Sequence, residues 1–305
     1  MSFFHVIVLA IVQGLAELLP VSSSAHVVVA EKLMGLDPSS PQMTLLLVML
    51  HTGTMFAVIA YFWQQWRQTY FASVDAFKRF ALRLIYATAL TGVVGEALIK
   101  LIEHTMFKGA PKAEIEDLFG RLDLVAPALA CAGILILIAG LREKKLDAVA
   151  AAQAAAASLT RRPSDSVTMR QAGWMGLLQG LCLPFRGFSR SGATISAGML
   201  TGASKQRAER FSFALAVVIT PFAIAREAHR LLKATHAAAA SGSPIDLHGT
   251  LVYSLLGAAF AFLAGLVALK WLSNWLENGR WYWFGIYCLV ASAAVWWLHF
   301  GPRHL

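Results

Sequence analysis

Six stretches of about twenty mostly apolar residues constrain this chain more than anything else in it. They run from Met43 to Phe62, Leu82 to Ile102, Leu124 to Leu141, Phe211 to Leu232, Leu251 to Leu272 and Trp281 to Phe300. At 1.5 Å of rise per residue, a helix of that length crosses the ~30 Å hydrocarbon layer of a bilayer. Lipid offers no hydrogen bonds to the backbone, so runs of this length must be helices. Composition agrees: 57% of residues are hydrophobic and 14% charged, whereas soluble domains carry about a quarter charged. The expectation is an all-α polytopic membrane protein with six transmembrane helices.

The net charge of +9 does not point to nucleic acid, because no soluble basic domain holds it. The basic residues fall in short connections instead. Arg67, Lys78, Arg79 and Arg83 lie in one, and Arg142, Lys144, Lys145, Arg161, Arg162 and Arg170 in another. The positive-inside rule puts both in the cytoplasm. The loop from Glu103 to Asp123, with Glu114, Glu116 and Asp117 against Lys108, Lys112 and Arg121, fits the outer side, while Arg226, Arg230 and Lys233 run against the rule. The Ala-rich stretch from Ala148 to Ser158 reads as a short surface helix or a linker. Cys131, Cys182 and Cys288 sit in apolar surroundings without C-x-x-C spacing, indicating neither a disulfide framework nor a zinc site. The N-terminal segment lacks a cationic leader and reads as part of the mature fold.

Two polar islands interrupt this apolar background: "QGLAELLPVSSSAH" from Gln13 to His26, and "QGLCLPFRGFSRSGAT" from Gln179 to Thr194. Pro20 with its serine run, and Pro184 with Gly187, break any continuous helix. Broken backbone at membrane depth survives only where protein buries it or where it lines a wet cavity. The islands echo each other in a Gln-Gly-Leu start, a Leu-Pro pair and clustered serines. Three predicted crossings lie between them, and an odd number inverts the second copy. The reading is one integral membrane domain over residues 1–305, with two re-entrant helical hairpins in an inverted-topology repeat. Repeat one covers about 1–141, a cytoplasmic loop 142–170, and repeat two about 171–305.

The islands carry complementary chemistry. Gln13 and Glu17 are spaced i, i+4 and share a helix face. An intramembrane carboxylate is a functional candidate by default; its partner is a cation, a metal ion or Arg190, or else it is protonated or caps a helix. Ser22, Ser23 and Ser24 suit helix caps, and Ser23 with His26 also forms a pair fit for nucleophilic or acid–base work. In the second island, Gly187 and Gly192 admit an anion close to the backbone. Ser189, Ser191 and Thr194 offer hydroxyls, a helix from near Ala193 points its dipole at the turn, and Arg190 adds a planar charged fork. The sum reads as phosphoryl chemistry on a lipid.

These residues resemble the undecaprenyl-diphosphate phosphatase family linked to bacitracin resistance. The first signature is matched by Gln13, Gly14, Glu17, Pro20, Val21, Ser22, Ser23 and His26, and the second by Gly187, Ser189, Arg190, Ser191, Gly192 and Thr194. The likeness runs on through "HTGTMFAV" at His51 and "FSFALAV" at Phe211. Arg186 stands where the family has proline, "LPFRG" carries an extra residue, and Tyr287 is followed by Cys288 where the family often has arginine. Arg186 is thus either a second phosphate contact or a side chain snorkelling to solvent.

The resemblance implies hydrolysis of undecaprenyl diphosphate to undecaprenyl phosphate, which recycles the lipid carrier of cell-wall synthesis and confers bacitracin resistance. It implies that Arg190, Ser189, Ser191 and Thr194 hold the diphosphate, and that Glu17, helped by Gln13, binds a divalent cation, Mg²⁺ or Ca²⁺. Ser23 or His26 then attacks phosphorus or activates water. The protein is expected in the bacterial inner membrane with its site facing the periplasm. The alternative is a polyprenyl-phosphate flippase or transporter that shares the same pocket. A homodimer stays open, because apolar helix faces suit lipid and partner alike.

Overall fold

The computed structural model describes residues 2–37, 40–106, 121–154, 166–240 and 247–300. All regular structure among them is helical: α1 (Phe3–Leu18), α2 (Ser23–Leu33), α3 (Pro41–Thr69), α4 (Val74–Met106), α5 (Leu122–Ala154), α6 (Met169–Cys182), α7 (Arg190–Leu200), α8 (Lys205–Ala240), α9 (Leu247–Glu277) and α10 (Trp281–Phe300). Six segments are long and apolar enough to cross a membrane: Gln42–Thr69, Val74–Met106, Leu122–Leu146, Lys205–Lys233, Gly249–Glu277 and Trp281–Phe300. Each contains one of the six runs found in the sequence.

The two breaks fall where proline and serine or glycine demand them. Helix α1 stops at Leu18, ahead of Pro20, and α2 begins at Ser23. Between them Ser22 takes φ 67°, the one positive-φ position outside glycine among the described residues. Helix α6 stops at Cys182, ahead of Pro184, and α7 begins at Arg190. The second helix was expected from near Ala193; it starts earlier because Ser189 caps it, its hydroxyl accepting from Gly192 N at 3.2 Å. Helix α6 has its own capping box, Thr168 with Gln171. Helix α5 continues to Ala154, so the Ala-rich stretch starts as helix; residues 155–165 and the acidic loop residues Glu114, Glu116 and Asp117 lie outside the described residues.

Contacts gather into two compact units. The first comprises Met1–Leu19, Ser23–Trp63 and Ala214–Trp271. Its core joins Val6, Leu9 and Ala10 of α1 to Val27 of α2, Met43, Leu46 and Leu50 of α3, and Ala261 of α9. Helix association in lipid relies on close van der Waals packing rather than on expulsion of water. Small residues therefore set the approach of α1 to α9: a Cβ on Gly14 would meet Ala264 Cβ at 2.6 Å and Ala261 O at 2.8 Å.

The second unit comprises Pro20–Ser22, Gln64–Phe213 and Leu272–Leu305. Helices α5 and α10 pack along each other, and the buried Ser292 hydroxyl donates to Ala126 O at 2.7 Å across the pair. Thr91 of α4 donates to Gly176 O of α6 at 3.0 Å, and Trp281 Nε1 of α10 donates to Ser196 Oγ of α7 at 3.0 Å. Such interhelical hydrogen bonds satisfy polar groups that lipid cannot. The faces left bare carry Ile85, Val93, Ile134, Ile138 and Val290, as a lipid-facing surface requires.

Candidate active site

Three residues of the first island, Gln13, Glu17 and Ser23, meet within the first unit. Gln13 is buried on α1 at 1% exposure, and its Nε2 donates to Glu17 Oε2 at 3.2 Å, the i, i+4 contact the spacing predicts. Ser23, the first residue of α2, donates its hydroxyl to the same oxygen at 2.6 Å. A hydrogen bond to a carboxylate at this length is charge-assisted and strong. It draws the Ser23 proton toward Glu17 and leaves Oγ richer in electron density. His26 lies three residues further along α2, half-buried. Ser22 is buried in the turn and Ser24 half-buried.

His51 of α3 joins this cluster. Its Nε2 is 3.8 Å from Glu17 Oε2, while its Nδ1 is 2.8 Å from Leu47 O. Sequence reasoning met this histidine only as part of the family likeness. A histidine on an apolar helix has no local signal to separate it from a core residue, and its partner is remote in sequence.

The second-island residues assemble within the second unit. Gly187 takes φ 103°, a region where side chains other than glycine are strained, and a Cβ there would meet Val125 O at 2.5 Å. Arg190 is the first residue of α7, at the positive end of the helix dipole, and is half-buried. Ser189 and Ser191 are each 2% exposed. Thr194 is fully buried and already engaged: its hydroxyl is 2.9 Å from Arg190 O and 2.5 Å from Ser212 Oγ of α8. It therefore ties the turn that presents Arg190 to the neighbouring helix, and Ser212 is a second residue that the motifs did not single out. Arg186 is half-buried and lines a small cavity of about 70 Å³ with Pro184, Phe185 and Val125.

For a divalent cation, the first cluster supplies the Glu17 carboxylate and Gln13 Oε1, whose amide nitrogen faces the carboxylate. No group of three His, Cys, Asp or Glu side chains with metal-holding geometry occurs among the described residues. A cation held by one carboxylate and completed by substrate phosphates and water is the usual mode for Mg²⁺, so the residues fit an ion that arrives with a diphosphate. A further cavity of about 490 Å³ lies at the C-terminal end of α7, where Lys205 and Glu143 pair at 3.6 Å, and it contains none of the candidate residues.

Comparison with known proteins is consistent with this chemistry. The family described as "Bacitracin resistance protein BacA" matches residues 6–294. Undecaprenyl-diphosphatase 2 of Acinetobacter baylyi is 54% identical over 295 residues, covering 97% of each chain. Undecaprenyl-diphosphatase 2 of Burkholderia thailandensis is 32% identical over 299 residues, and undecaprenyl-diphosphatase 1 of Burkholderia pseudomallei 33% over 303. In both, the match covers 96% of this chain and 95% of the relative.

Proposed function

Since the chain belongs to the bacitracin resistance protein BacA family, we propose that it is an undecaprenyl-diphosphatase of the bacterial inner membrane. It hydrolyses undecaprenyl diphosphate to undecaprenyl phosphate and inorganic phosphate. The observation that carries the mechanism is the 2.6 Å hydrogen bond from Ser23 to Glu17.

In this mechanism Ser23 Oγ attacks the terminal phosphorus and its proton passes to Glu17. The bond from phosphorus to the bridging oxygen breaks, and undecaprenyl phosphate departs. Water then attacks the phosphoserine and gives a proton to His26, which releases it to solvent. Inorganic phosphate leaves as Ser23 regains its proton from Glu17. Arg190, Ser189 and Ser191 neutralise and orient the phosphate oxygens at the start of α7. Thr194 and Ser212 hold that turn, and Arg186 adds a second cationic contact. The division of labour between the two islands is supported by their complementary chemistry, one acidic with a hydroxyl, the other cationic.

A divalent cation, Mg²⁺ or Ca²⁺, would be held by Glu17 and Gln13 and would offset negative charge on the phosphates. We read α1 with α2, and α6 with α7, as re-entrant hairpins of an inverted repeat, supported by the two helix breaks and by the echo between the islands. We read the site as opening to the periplasm. The lipid-carrier alternative gains no support: the relatives compared are named for diphosphatase activity, and a carrier has no need of a hydroxyl poised on a carboxylate.

Phosphate release from undecaprenyl diphosphate by the purified chain, with Mg²⁺ or Ca²⁺ and with a chelator, tests the reading. Cation-dependent release supports it. A folded chain that releases none, yet moves labelled polyprenyl phosphate across proteoliposomes, would replace it with the carrier.

A further inference from the structure

His51 is not used by the mechanism above, yet it stands against its carboxylate. The Nδ1 contact with Leu47 O at 2.8 Å fixes its protonation pattern, because a carbonyl oxygen can only accept. Nδ1 therefore carries a hydrogen, and in the neutral ring Nε2 presents a lone pair. That lone pair is 3.8 Å from Glu17 Oε2, itself an acceptor. Two electron-pair donors facing one another repel unless a proton on Nε2 makes them an ion pair or a metal cation lies between them. The separation exceeds a hydrogen bond, but a cation about 2.1 Å from each atom could touch both without either side chain moving. The His51 side chain is 41% exposed, so neighbouring helices do not seal it off.

The second feature is the far side of the ring. Metal-ligating histidines donate their other N–H to a carboxylate or a backbone carbonyl, which fixes ring orientation. His51 has this arrangement, with a helix carbonyl one turn back as the acceptor. Gln13 donates its Nε2 to the same Glu17 Oε2, so its Oε1 joins an ion there by rotation of the amide, which exchanges oxygen and nitrogen.

We propose that His51 Nε2 is a direct ligand of the divalent cation at Glu17. This makes the ligand set a carboxylate, an amide oxygen and an imidazole, drawn from α1 and α3. An all-oxygen set suits Mg²⁺ and Ca²⁺, whereas an imidazole favours first-row transition ions. The site accordingly binds Mn²⁺ more tightly than Mg²⁺. The inference rests on the reading of Glu17 as a cation-binding carboxylate in a diphosphatase, and it is tested without turnover.

The probe is Mn²⁺ alone, titrated into the full-length chain in detergent and followed by electron paramagnetic resonance. The expected result is one tightly bound Mn²⁺ per chain whose pulsed spectrum shows coupling to a directly bound imidazole nitrogen. In His51→Gln that coupling disappears and Mn²⁺ affinity falls by about tenfold or more, while Mg²⁺ affinity, measured by competition, falls less. His26→Ala keeps the nitrogen coupling. Bound Mn²⁺ without nitrogen coupling in the wild type, or no tight Mn²⁺ at all, overturns the proposal and leaves His51 as an ion-pair partner of Glu17. The wild-type spectrum decides even if His51→Gln fails to fold. Phosphate release from the same preparations reports separately on the diphosphatase reading.

Discussion

Ser23 Oγ and Glu17 Oε2 are 2.6 Å apart, although the residues sit on different helices separated by a proline turn. The turn exists because Pro20 ends α1 and Ser22 accepts a positive φ. A short polar bond is thus placed inside a segment whose neighbours are apolar, where a carboxylate interacts more strongly than it would in water. It is the basis of the proposal that Ser23 is the nucleophile and Glu17 its proton acceptor.

If the pair works as a unit, its losses do not add. Ser23→Ala and Glu17→Gln each lower kcat/KM by about a hundredfold or more, in the range of general-base catalysis. The double variant is little worse than either single one. Steady-state phosphate release from a polyprenyl diphosphate measures all three, and additive losses would separate the two roles.

Thr194 and Ser212 make a second testable pair, at 2.5 Å in a fully buried setting. Thr194→Val keeps the shape but leaves Ser212 unsatisfied, so stability falls by roughly 1–3 kcal/mol. Adding Ser212→Ala restores much of that loss, because both polar groups are then gone. Thermal unfolding in one detergent, run as a double-mutant cycle, reads the coupling.

Gln179 predicts the opposite sign. It is fully buried on α6, and neither its Nε2 nor its Oε1 has a hydrogen-bond partner among the described residues. The matching amide of the first island, Gln13, has Glu17 four residues on, whereas Gln179 has Leu183. Gln179→Leu is therefore expected to raise stability by about 1 kcal/mol or more. A lower unfolding temperature than wild type would show that the amide is satisfied in the working protein.

Gly187→Ala forces a side chain into a left-handed φ and against Val125 O, so it costs about 1–3 kcal/mol and displaces the turn before Arg190. The matched comparison is Gly92→Ala in α4, where nothing lies within 4 Å of a Cβ. Gly92→Ala is expected to be neutral or mildly stabilising on the same thermal assay.

How much of this was legible in sequence depends on range. The span Trp281–Phe300 matched at both ends because its limits are set by local composition. The helix breaks matched because Pro20 and Pro184 act on their own neighbours. The start of α7 shifted from near Ala193 to Arg190, although the cap from Ser189 to Gly192 is a local signal that could have been used. His51 and Ser212 were not legible as site residues. Each meets its partner through helix packing, and neither spacing nor residue type marks such a contact in a single chain.

The most direct test is a single-turnover measurement of phosphate release from undecaprenyl diphosphate, comparing wild type with Ser23→Ala and Arg190→Ala at equal folded concentration in Mg²⁺. The account predicts a phosphorylated Ser23 trapped in rapidly quenched wild type, and release slowed at least a hundredfold in both variants. Wild-type rates in Ser23→Ala, or in Arg190→Ala, would contradict it.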